Sequence, residues 1–343
     1  MRLDPFYRLL ISRIRESLRE PEVLFWVFVF PMLLAVGLGI AFRNKPQEQV
    51  SIAIAEGPRA REVATVLEAD PQLIVRISNE EDARSELRLG KVALVVVPRE
   101  PYEYRFDPTR PEAEVARVHV EGVLQKAAGR KDAFDAVEIE VSGPGARYID
   151  FLIPGLLGMN LMSGGMWGVG IAVVDMRTRK LLKRLIASPM RKSEFIAALM
   201  MSRVVFMLGE LVALLVFGFL FFDITVRGSI TATVLVGLLG ALTFGGIGIL
   251  VASRAQRMET VSGLMNVVML PMFLLSGIFF STDRFPEMMQ PAIQTLPLTM
   301  LNDALRAIII EGHTLVSQAW EILGLSLWGG SSFLLSIKWF RWT

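Results

Sequence analysis

The chain has 343 residues, of which 52% are hydrophobic, and its mean hydropathy is +0.47. A soluble protein of this length would not carry several uncharged runs of about 20 residues, the length that crosses a bilayer core as a helix. Cysteine is absent, which excludes disulfides, thiolate metal sites and cysteine nucleophiles. Basic residues cluster beside the apolar runs rather than along an aromatic face, so we expect no nucleic acid partner.

Residues 1–21 predict a basic amphipathic helix ahead of the first apolar run. Its apolar positions recur at spacings of three or four: Leu3, Tyr7, Leu10, Ile14 and Leu18. Pro21 is expected to end the helix. A helix of this kind lies in the headgroup layer, so we predict a cytoplasmic elbow helix. Two interpretations stay open, a simple flank of the anchor and a helix that also contacts a cytoplasmic partner.

Six apolar runs predict an α-helical membrane body with six transmembrane helices. They lie at 23–42, 151–174, 204–222, 228–253, 260–282 and 315–338. The first span is assigned to 22–43 and is interpreted as a retained anchor, because its basic leader is long and no cleavage site follows it. The last run is the weakest, since Glu321 lies near its outer end.

Charge asymmetry predicts the orientation of the chain. The leader, the segment 175–192 with its seven Lys/Arg, the loop with Arg254 and Arg257, and the C-terminal end all fall on one side of the six spans. Cytoplasmic loops carry the excess of Lys and Arg. We therefore expect a multi-pass protein of the bacterial inner membrane, with both termini in the cytoplasm.

The sequence pattern of residues 44–147 differs from that of the apolar runs and predicts a small extracytoplasmic α/β domain. Strand-like runs alternate with helix-like ones, which is typical of a sheet covered by helices. The predicted strands are 50–55, 73–77, 92–97, 102–106 and 137–141, and the predicted helices are 59–69, 80–89 and 112–128. His119 is interpreted as packed or solvated rather than as a metal ligand. A folded spacer, a substrate-handling domain and a docking site for a periplasmic adaptor all remain open.

The sequence lacks the usual machinery of an enzyme. It contains no Gly-x-x-x-x-Gly-Lys-Ser/Thr phosphate loop, and its two histidines, His119 and His313, make base catalysis by histidine improbable. If this chain does work on a substrate, its energy comes from another chain or from an ion gradient.

Three motif regions follow one another in the second half of the chain. The first is Leu182 to Pro189, with its Leu-x-x-Ser-Pro core, and the second is Val251 to Glu259 after the fourth run. The third begins with Leu270-Pro271 and Leu275-Ser276-Gly277-Ile278-Phe279-Phe280, and continues through Leu296-Pro297-Leu298-Thr299 to Asp303-Ala304-Leu305-Arg306. In order and spacing, this set resembles the membrane subunit of type-2 ATP-binding-cassette exporters, the ABC-2 permease family, in its variant with a large outer domain.

The resemblance implies an ATPase partner that binds ATP and Mg²⁺, so that this chain itself carries no cofactor. It also implies that the leader and the coupling loop 175–193 rest on that ATPase. The coupling residues carried over are Lys183, Arg184, Leu185, Ser188 and Pro189. The family usually has Gly-Thr-Leu-Glu where this chain has Lys180-Leu181-Leu182-Lys183, which makes the loop more basic. The alternative is that these charges only set the topology.

The resemblance further implies a translocation path between two permease copies, or between this chain and a paralogue. The positions carried over to that path are Met159, Asn160, Asn266, Met269 and Phe273. Ordinary helix packing is the alternative for each of them. Gly164, Gly165 and Gly168 predict a face for close helix approach.

Residues 283–311 are too apolar for a solvated loop but are broken by prolines. Non-helical backbone enters a bilayer only where protein or water satisfies it, so we predict two short re-entrant helices with a turn near Pro297. Asp303 and Arg306 are spaced to pair on the second helix. A structural pairing and an exit gate made by Pro297, Asp303 and Arg306 are both open.

Glu210 lies near the middle of the third run, where a carboxylate is costly. A structural hydrogen bond to a neighbouring helix and a role in coupling, substrate contact or proton transfer are the alternatives. The favoured function is an export permease for a lipid, drug or other amphiphile. A membrane sensor or scaffold with a ligand-binding outer domain, and an ion-coupled transporter that uses Glu210, are the competing functions.

Overall fold

The computed structural model describes residues 3–43, 49–131, 134, 145, 147–182 and 192–340. The chain divides into two compact units. One comprises Asn44–Glu140, and the other, a helical unit, comprises Met1–Arg43 together with Val141–Thr343. The predicted outer domain, 44–147, thus differs from the first unit at its C-terminal boundary.

The helical unit begins with α1 (Leu3–Arg19), which contacts the long helix Lys192–Phe222. Leu9 of α1 is partly buried and packs against the hydrophobic core of the unit. Tyr7 and Leu18, two of the predicted apolar positions, are exposed on α1. The chain continues as α2 (Pro21–Leu24), a π-helical turn (Phe25–Val29) and α3 (Phe30–Arg43). One helical rod therefore carries the first apolar run, with a local widening near its start.

The α/β unit is a four-stranded sheet with helices on both faces. Its elements in chain order are β1 (Val50–Ala55), α4 (Ala60–Glu68), β2 (Leu73–Ser78), α5 (Glu80–Arg88), β3 (Leu94–Val97), β4 (Glu103–Phe106) and α6 (Pro111–Ala127). The strand order is β2-β1-β3-β4, with only β3 and β4 antiparallel. The predicted strands and helices up to residue 128 are confirmed, while the strand predicted at 137–141 lies outside the described residues.

Alternation along β1 explains the two cores of this unit. Ile52 and Ile54 pack with residues of α4 and α6 on one face, and Ala53 and Ala55 pack with Ala83 of α5 on the other.

At the surface of the α/β unit, hydrogen bonds and charge from Arg105 hold the pKa of both Glu80 and Glu103 below the usual value. His119 Nε2 lies 3.0 Å from Asp70 Oδ2. Among the residues described, no group of three side chains is arranged to hold a metal ion.

The remaining helices complete the helical unit. They are α7 (Tyr148–Ser163), a π-helical turn (Gly164–Gly168), α8 (Val169–Thr178), α9 (Lys192–Phe222), α10 (Ile230–Ala252), α11 (Met258–Leu275), α12 (Gln290–Gln294), α13 (Pro297–Ile309) and α14 (Ala319–Trp339). The short helices α12 and α13 meet at Leu296 and Pro297, where the sequence predicts the turn. Only Asp303 among the α13 residues is not buried.

Within the part of the chain that the structure describes, five helices are long and apolar enough to cross a membrane. They are Pro21–Phe42, Tyr148–Thr178, Glu194–Phe222, Ile230–Ala252 and Met258–Leu275. The sixth predicted span corresponds to α14, which has the necessary length but contains the polar and small run Gly329-Gly330-Ser331-Ser332. The helical membrane character is confirmed, and the count of six spans stays a prediction.

Two predicted spans differ in their ends from the corresponding helices. The third span was expected to begin at Val204, yet its helix begins at Lys192 and takes the buried Arg203 into its interior. The fifth was expected to reach Thr282, yet α11 ends at Leu275. The reason is that Gly277 adopts a φ of +68°, which turns the chain out of the helix.

Lys180 adopts a φ of +58° just beyond the C-terminus of α8. Its N–H donates to the Arg177 carbonyl at 3.0 Å, so the left-handed residue closes the helix end. Glycine is the residue preferred in this conformation, because a β-carbon crowds the backbone there. The departure from the family pattern at Lys180 therefore falls on a position that suits glycine.

We predict that Lys180→Gly raises the free energy of unfolding by about 1 kcal/mol, since it relieves the left-handed strain. The melting temperature of the purified protein measures the effect. Lys180→Ala is the matched control, because it removes the same side chain but keeps the β-carbon. An equal gain from both substitutions would assign the effect to the lysine charge instead.

Candidate functional site in the helical unit

A buried ion pair lies inside the third long helix. Arg203 Nη1 and Nη2 donate to the two carboxylate oxygens of Glu210 at 2.5 and 2.8 Å. Seven residues make two helical turns, so both side chains project from the same face of α9. The side chains are only 6% and 1% exposed. Glu210 therefore has a structural partner, but on its own helix and not on the neighbouring helix that the sequence interpretation expected.

The pair connects α9 with the two helical rods that contain π-helical turns. Arg203 Nη2 also donates to the carbonyl of Asn160 on α7 at 3.2 Å. The Asn160 side chain in turn donates to the carbonyl of Val27, inside the first π-helical turn, at 3.1 Å. One polar network thus joins three long helices, and we call Val27, Asn160, Arg203 and Glu210 the polar bridge.

Gly164, at the start of the second π-helical turn, makes room for the polar bridge. A β-carbon on Gly164 would lie 2.4 Å from the Arg203 guanidinium. Gly165 faces α10 just as closely, since its β-carbon would lie 2.7 Å from Phe244. Gly168 has nothing within 4 Å. Two of the three glycines predicted for close approach therefore have that role within this chain.

A second polar cluster fixes the end of α11 against α13. The Asn302 side chain donates to the Ser276 carbonyl at 2.9 Å, and Arg306 donates to the Gly277 carbonyl. Carbonyls at a helix C-terminus have no intrahelical donor, so these side chains supply one. Arg306 lies 3.7 Å from Asp303, the pairing that the sequence spacing favours.

The neighbouring helix α7 fits closely into this cluster through two glycines. A β-carbon on Gly155 would lie 2.6 Å from the Ile278 carbonyl oxygen, and one on Gly158 would lie 1.9 Å from Asn302 Oδ1. The Arg306 guanidinium also lies over the Phe151 ring of α7, 3.6 Å from its centroid. Helix α7, helix α13 and the turn that follows α11 therefore meet at one place.

The predicted coupling residues Lys183, Arg184, Leu185, Ser188 and Pro189 lie outside the described residues. The first basic residue of the coupling loop, Arg177, is described. Its guanidinium donates to the carbonyls of Ala252 and Ser253 at 3.0 and 3.1 Å, and to that of Ala255. It also lies 5.4 Å from the ring centroid of Phe340. This basic residue therefore binds the end of α10, beyond any part in setting topology.

Comparison with known proteins identifies the family. Residues 21–338 match the profile of the ABC-2 family transporter proteins. The chain belongs to the ABC-2 transporter family. Two Escherichia coli K12 proteins are similar. One, named "Probable multidrug ABC transporter permease YbhS", is 21% identical over 89% of this chain and 88% of its own length. The other, named "Inner membrane transport permease YhhJ", is 27% identical over 51% of this chain and 47% of its own length.

The resemblance predicted from the ordered motifs is thereby confirmed, and the chain is a membrane transport protein of the ABC-2 type. The structure gives those motifs a physical reason. The Ser276-Gly277 turn supplies the carbonyls that residues Asn302 and Arg306 of the later motif bind. The Ala252–Ala255 motif supplies the carbonyls that Arg177 binds. Motifs far apart in the ABC-2 sequence thus meet as donors and acceptors.

The predicted path residues are spread over different environments. Met159, Asn160 and Met269 are buried within the chain, and Asn160 belongs to the polar bridge. Asn266 is exposed on α11, and Phe273 is partly buried. Within this single chain they do not form one surface, so their role in a path stays a prediction that depends on a second permease copy.

Sequence reasoning missed Arg203 and Arg177 as contact-forming residues. The spacing of seven between Arg203 and Glu210 was a usable signal, because it places opposite charges on one helix face. Arg177 had no such signal, since its partners are backbone carbonyls more than 70 residues away in sequence.

We predict that Gly155→Ala lowers the free energy of unfolding by about 1–3 kcal/mol, because its β-carbon meets a backbone carbonyl that cannot rotate away. Thermal unfolding of the purified protein measures this. Gly168→Ala, in an open position on the same helical rod, is the matched control and should leave the melting temperature unchanged or slightly higher. If Gly155→Ala and Gly168→Ala change the melting temperature equally, close packing at Gly155 is not the cause.

We predict that Arg203→Met and Glu210→Met each cost about 3–5 kcal/mol, because each leaves a buried charge without its partner. The double substitution should recover most of the loss, since both charges are then gone. Unfolding of the four proteins in the same detergent measures the cycle. If the loss in the double variant equals the sum of the two single losses, the ion pair is contradicted.

Proposed function

We propose that this chain is the permease subunit of an ATP-driven exporter that moves a lipid, drug or other amphiphile. In this proposal it lies in the bacterial inner membrane with six spans and both termini in the cytoplasm. The observation that carries the proposal is a family match over residues 21–338 in a chain whose sequence has no phosphate-binding loop. An ABC-2 protein without such a loop needs a separate ATPase subunit.

Pairing with a second permease copy or a paralogue is supported by α11. Three apolar residues of this helix, Val267, Leu270 and Leu274, are 61–71% exposed and follow one another at spacings of three and four. Asn266 lies beside them on the surface. An amide facing lipid is costly, whereas helices in membranes use Asn to hydrogen-bond one another. A partner permease on this face would satisfy Asn266 and line the proposed path.

Coupling through loop 175–193 is supported by the rigidity of its two ends. Arg177 ties the end of α8 to the end of α10 and to Phe340. At the other end of the loop, α9 carries the polar bridge, which reaches Asn160 and Val27. A push by the ATPase on this loop would therefore act on several spans together.

The same contacts weigh against an ion-coupled mechanism. Glu210 accepts two hydrogen bonds from Arg203, so a proton or cation would have to displace a bidentate arginine before binding the carboxylate.

The α/β unit is proposed to lie outside the membrane and to handle substrate or dock a periplasmic adaptor. Pro297, Asp303 and Arg306 are proposed as the exit gate, since α13 packs against both α7 and α11.

The test is to purify the chain with its ATPase partner and to measure ATP hydrolysis and export of candidate amphiphiles in inside-out vesicles. We expect Leu185→Asp, or deletion of 187–190, to reduce export at least tenfold while hydrolysis persists, because the push no longer reaches the spans. Leu185→Met, which keeps an apolar side chain of similar size, should retain export.

Two outcomes would contradict the proposal. If no ATPase subunit co-purifies with the chain, the proposal that ATP hydrolysis drives transport is wrong. If the folded Leu185→Asp complex exports as well as the unchanged complex, the coupling site is wrong.

A further inference from the structure

An apolar groove runs along the surface of the helical unit between α9, α10 and α14. Its volume is about 870 Å³. Met200, Leu242 and Phe333 contribute to its walls, one from each helix, and Ile337 and Phe340 line its end on the side of α14. Sites of 300–1,000 Å³ hold drug-sized ligands, so the groove has room for a hydrocarbon chain.

The groove lies towards one end of the helix bundle. Its α9 residues come from the first turns of that helix, and its α14 residues reach the last turn. The end of α10, which precedes Arg254, lies at the same end of the bundle, because α10 runs antiparallel to α9 and parallel to α14. In the proposed orientation this is the cytoplasmic half of the membrane. A ligand here would come from the cytoplasmic leaflet.

Basic and aromatic residues gather at this end of the groove. Arg254 lies over the Trp339 ring, with its guanidinium carbon 5.8 Å from the ring centroid. Trp339 follows Lys338 directly and precedes the groove residue Phe340. Arg254 and Lys338 are both exposed. Tryptophan favours the headgroup level of a membrane, and basic pockets between helices on the cytoplasmic side bind acidic lipid headgroups.

We propose that this groove is a binding site for an acidic phospholipid of the cytoplasmic leaflet. One acyl chain lies in the groove, and the phosphate of the headgroup lies by Arg254 and Lys338. A neutral amphiphile would use the apolar walls but not the two cations, and a packed protein helix would need neither. The site is separate from the proposed translocation path, and its place in the cytoplasmic leaflet rests on the orientation given under the proposed function.

The test uses the full-length chain, purified in detergent and titrated with dioleoyl phosphatidylglycerol or dioleoyl phosphatidylcholine. Native mass spectrometry measures the bound lipid. We expect phosphatidylglycerol to bind at least tenfold more tightly, because each cation at a membrane surface favours acidic lipid about fivefold. Equal affinity for the two lipids would overturn the proposal.

Gly330→Leu tests the acyl chain. Gly330 lines the groove, and a β-carbon there has nothing within 4 Å, so the larger side chain fills the groove without striking the protein. We expect at least a tenfold loss of affinity for phosphatidylglycerol. Gly37→Leu is the matched control, since Gly37 on α3 is equally open but lies outside the groove. Unchanged binding by Gly330→Leu would overturn the site.

The double variant Arg254→Gln with Lys338→Gln tests the headgroup. Both positions are on the surface, so the fold tolerates the change even if Gly330→Leu does not fold. We expect the preference for phosphatidylglycerol to disappear while phosphatidylcholine binds as before. A preference that survives the double substitution would show that these cations do not hold the headgroup.

Discussion

The helical unit depends on a constraint that water-soluble proteins meet more easily. The last carbonyls of every helix lack an intrahelical donor, and a bilayer core supplies none. Here three arginines meet this need. Arg147 donates to Phe222 at the end of α9, Arg177 to Ala252 and Ser253 at the end of α10, and Arg306 to Gly277 beyond the end of α11. Each donor belongs to another helix or its N-terminal cap, so capping one helix also ties it to a neighbour.

The polar bridge complements these ends in the interior of the helices. It passes from Glu210 and Arg203 to the Asn160 carbonyl and on to Val27. π-Helical turns are frequent at functional sites and widen a helix locally. Here the first such turn carries the Val27 carbonyl, and the second carries Gly164 against the guanidinium. The bridge connects two spans at the points where each departs from regular helix. Such a connection suits a group of helices that moves as one body.

The order of the ABC-2 motifs acquires a physical meaning from these contacts. A turn that ends α11 is recognised by side chains of α13, and both fit against glycines of α7. Helix α13, in the second half of segment 283–311, therefore belongs to the core of the helical unit rather than to its surface loops. Loop 175–193 stands at the far end of α8 from this cluster. If the ATPase moves this loop as proposed, the movement reaches α13 only through the spans that Arg177 and the polar bridge connect.

The sequence by itself determined the family, the membrane character and most of the elements. Apolar runs without charge, a period of two in 50–55 and prolines around α12 and α13 are local patterns, and local patterns follow from side-chain chemistry and backbone geometry. The sequence also placed Asp303 and Arg306 on one helix. It suggested a glycine-like position at Lys180 only through the family pattern, and the left-handed φ supplied the reason.

Only the tertiary structure decided what the polar residues do. The spacing of seven allowed Arg203 and Glu210 to share a helix face, and the structure decided the pairing by showing that α9 begins at Lys192 and includes both. The partners of Arg177 and Arg306 are backbone carbonyls of distant segments, and every residue has a carbonyl, so no residue type marks them in advance. Which glycine faces a neighbour was likewise decided by packing, since Gly165 meets α10 whereas Gly168, three positions later, meets open space.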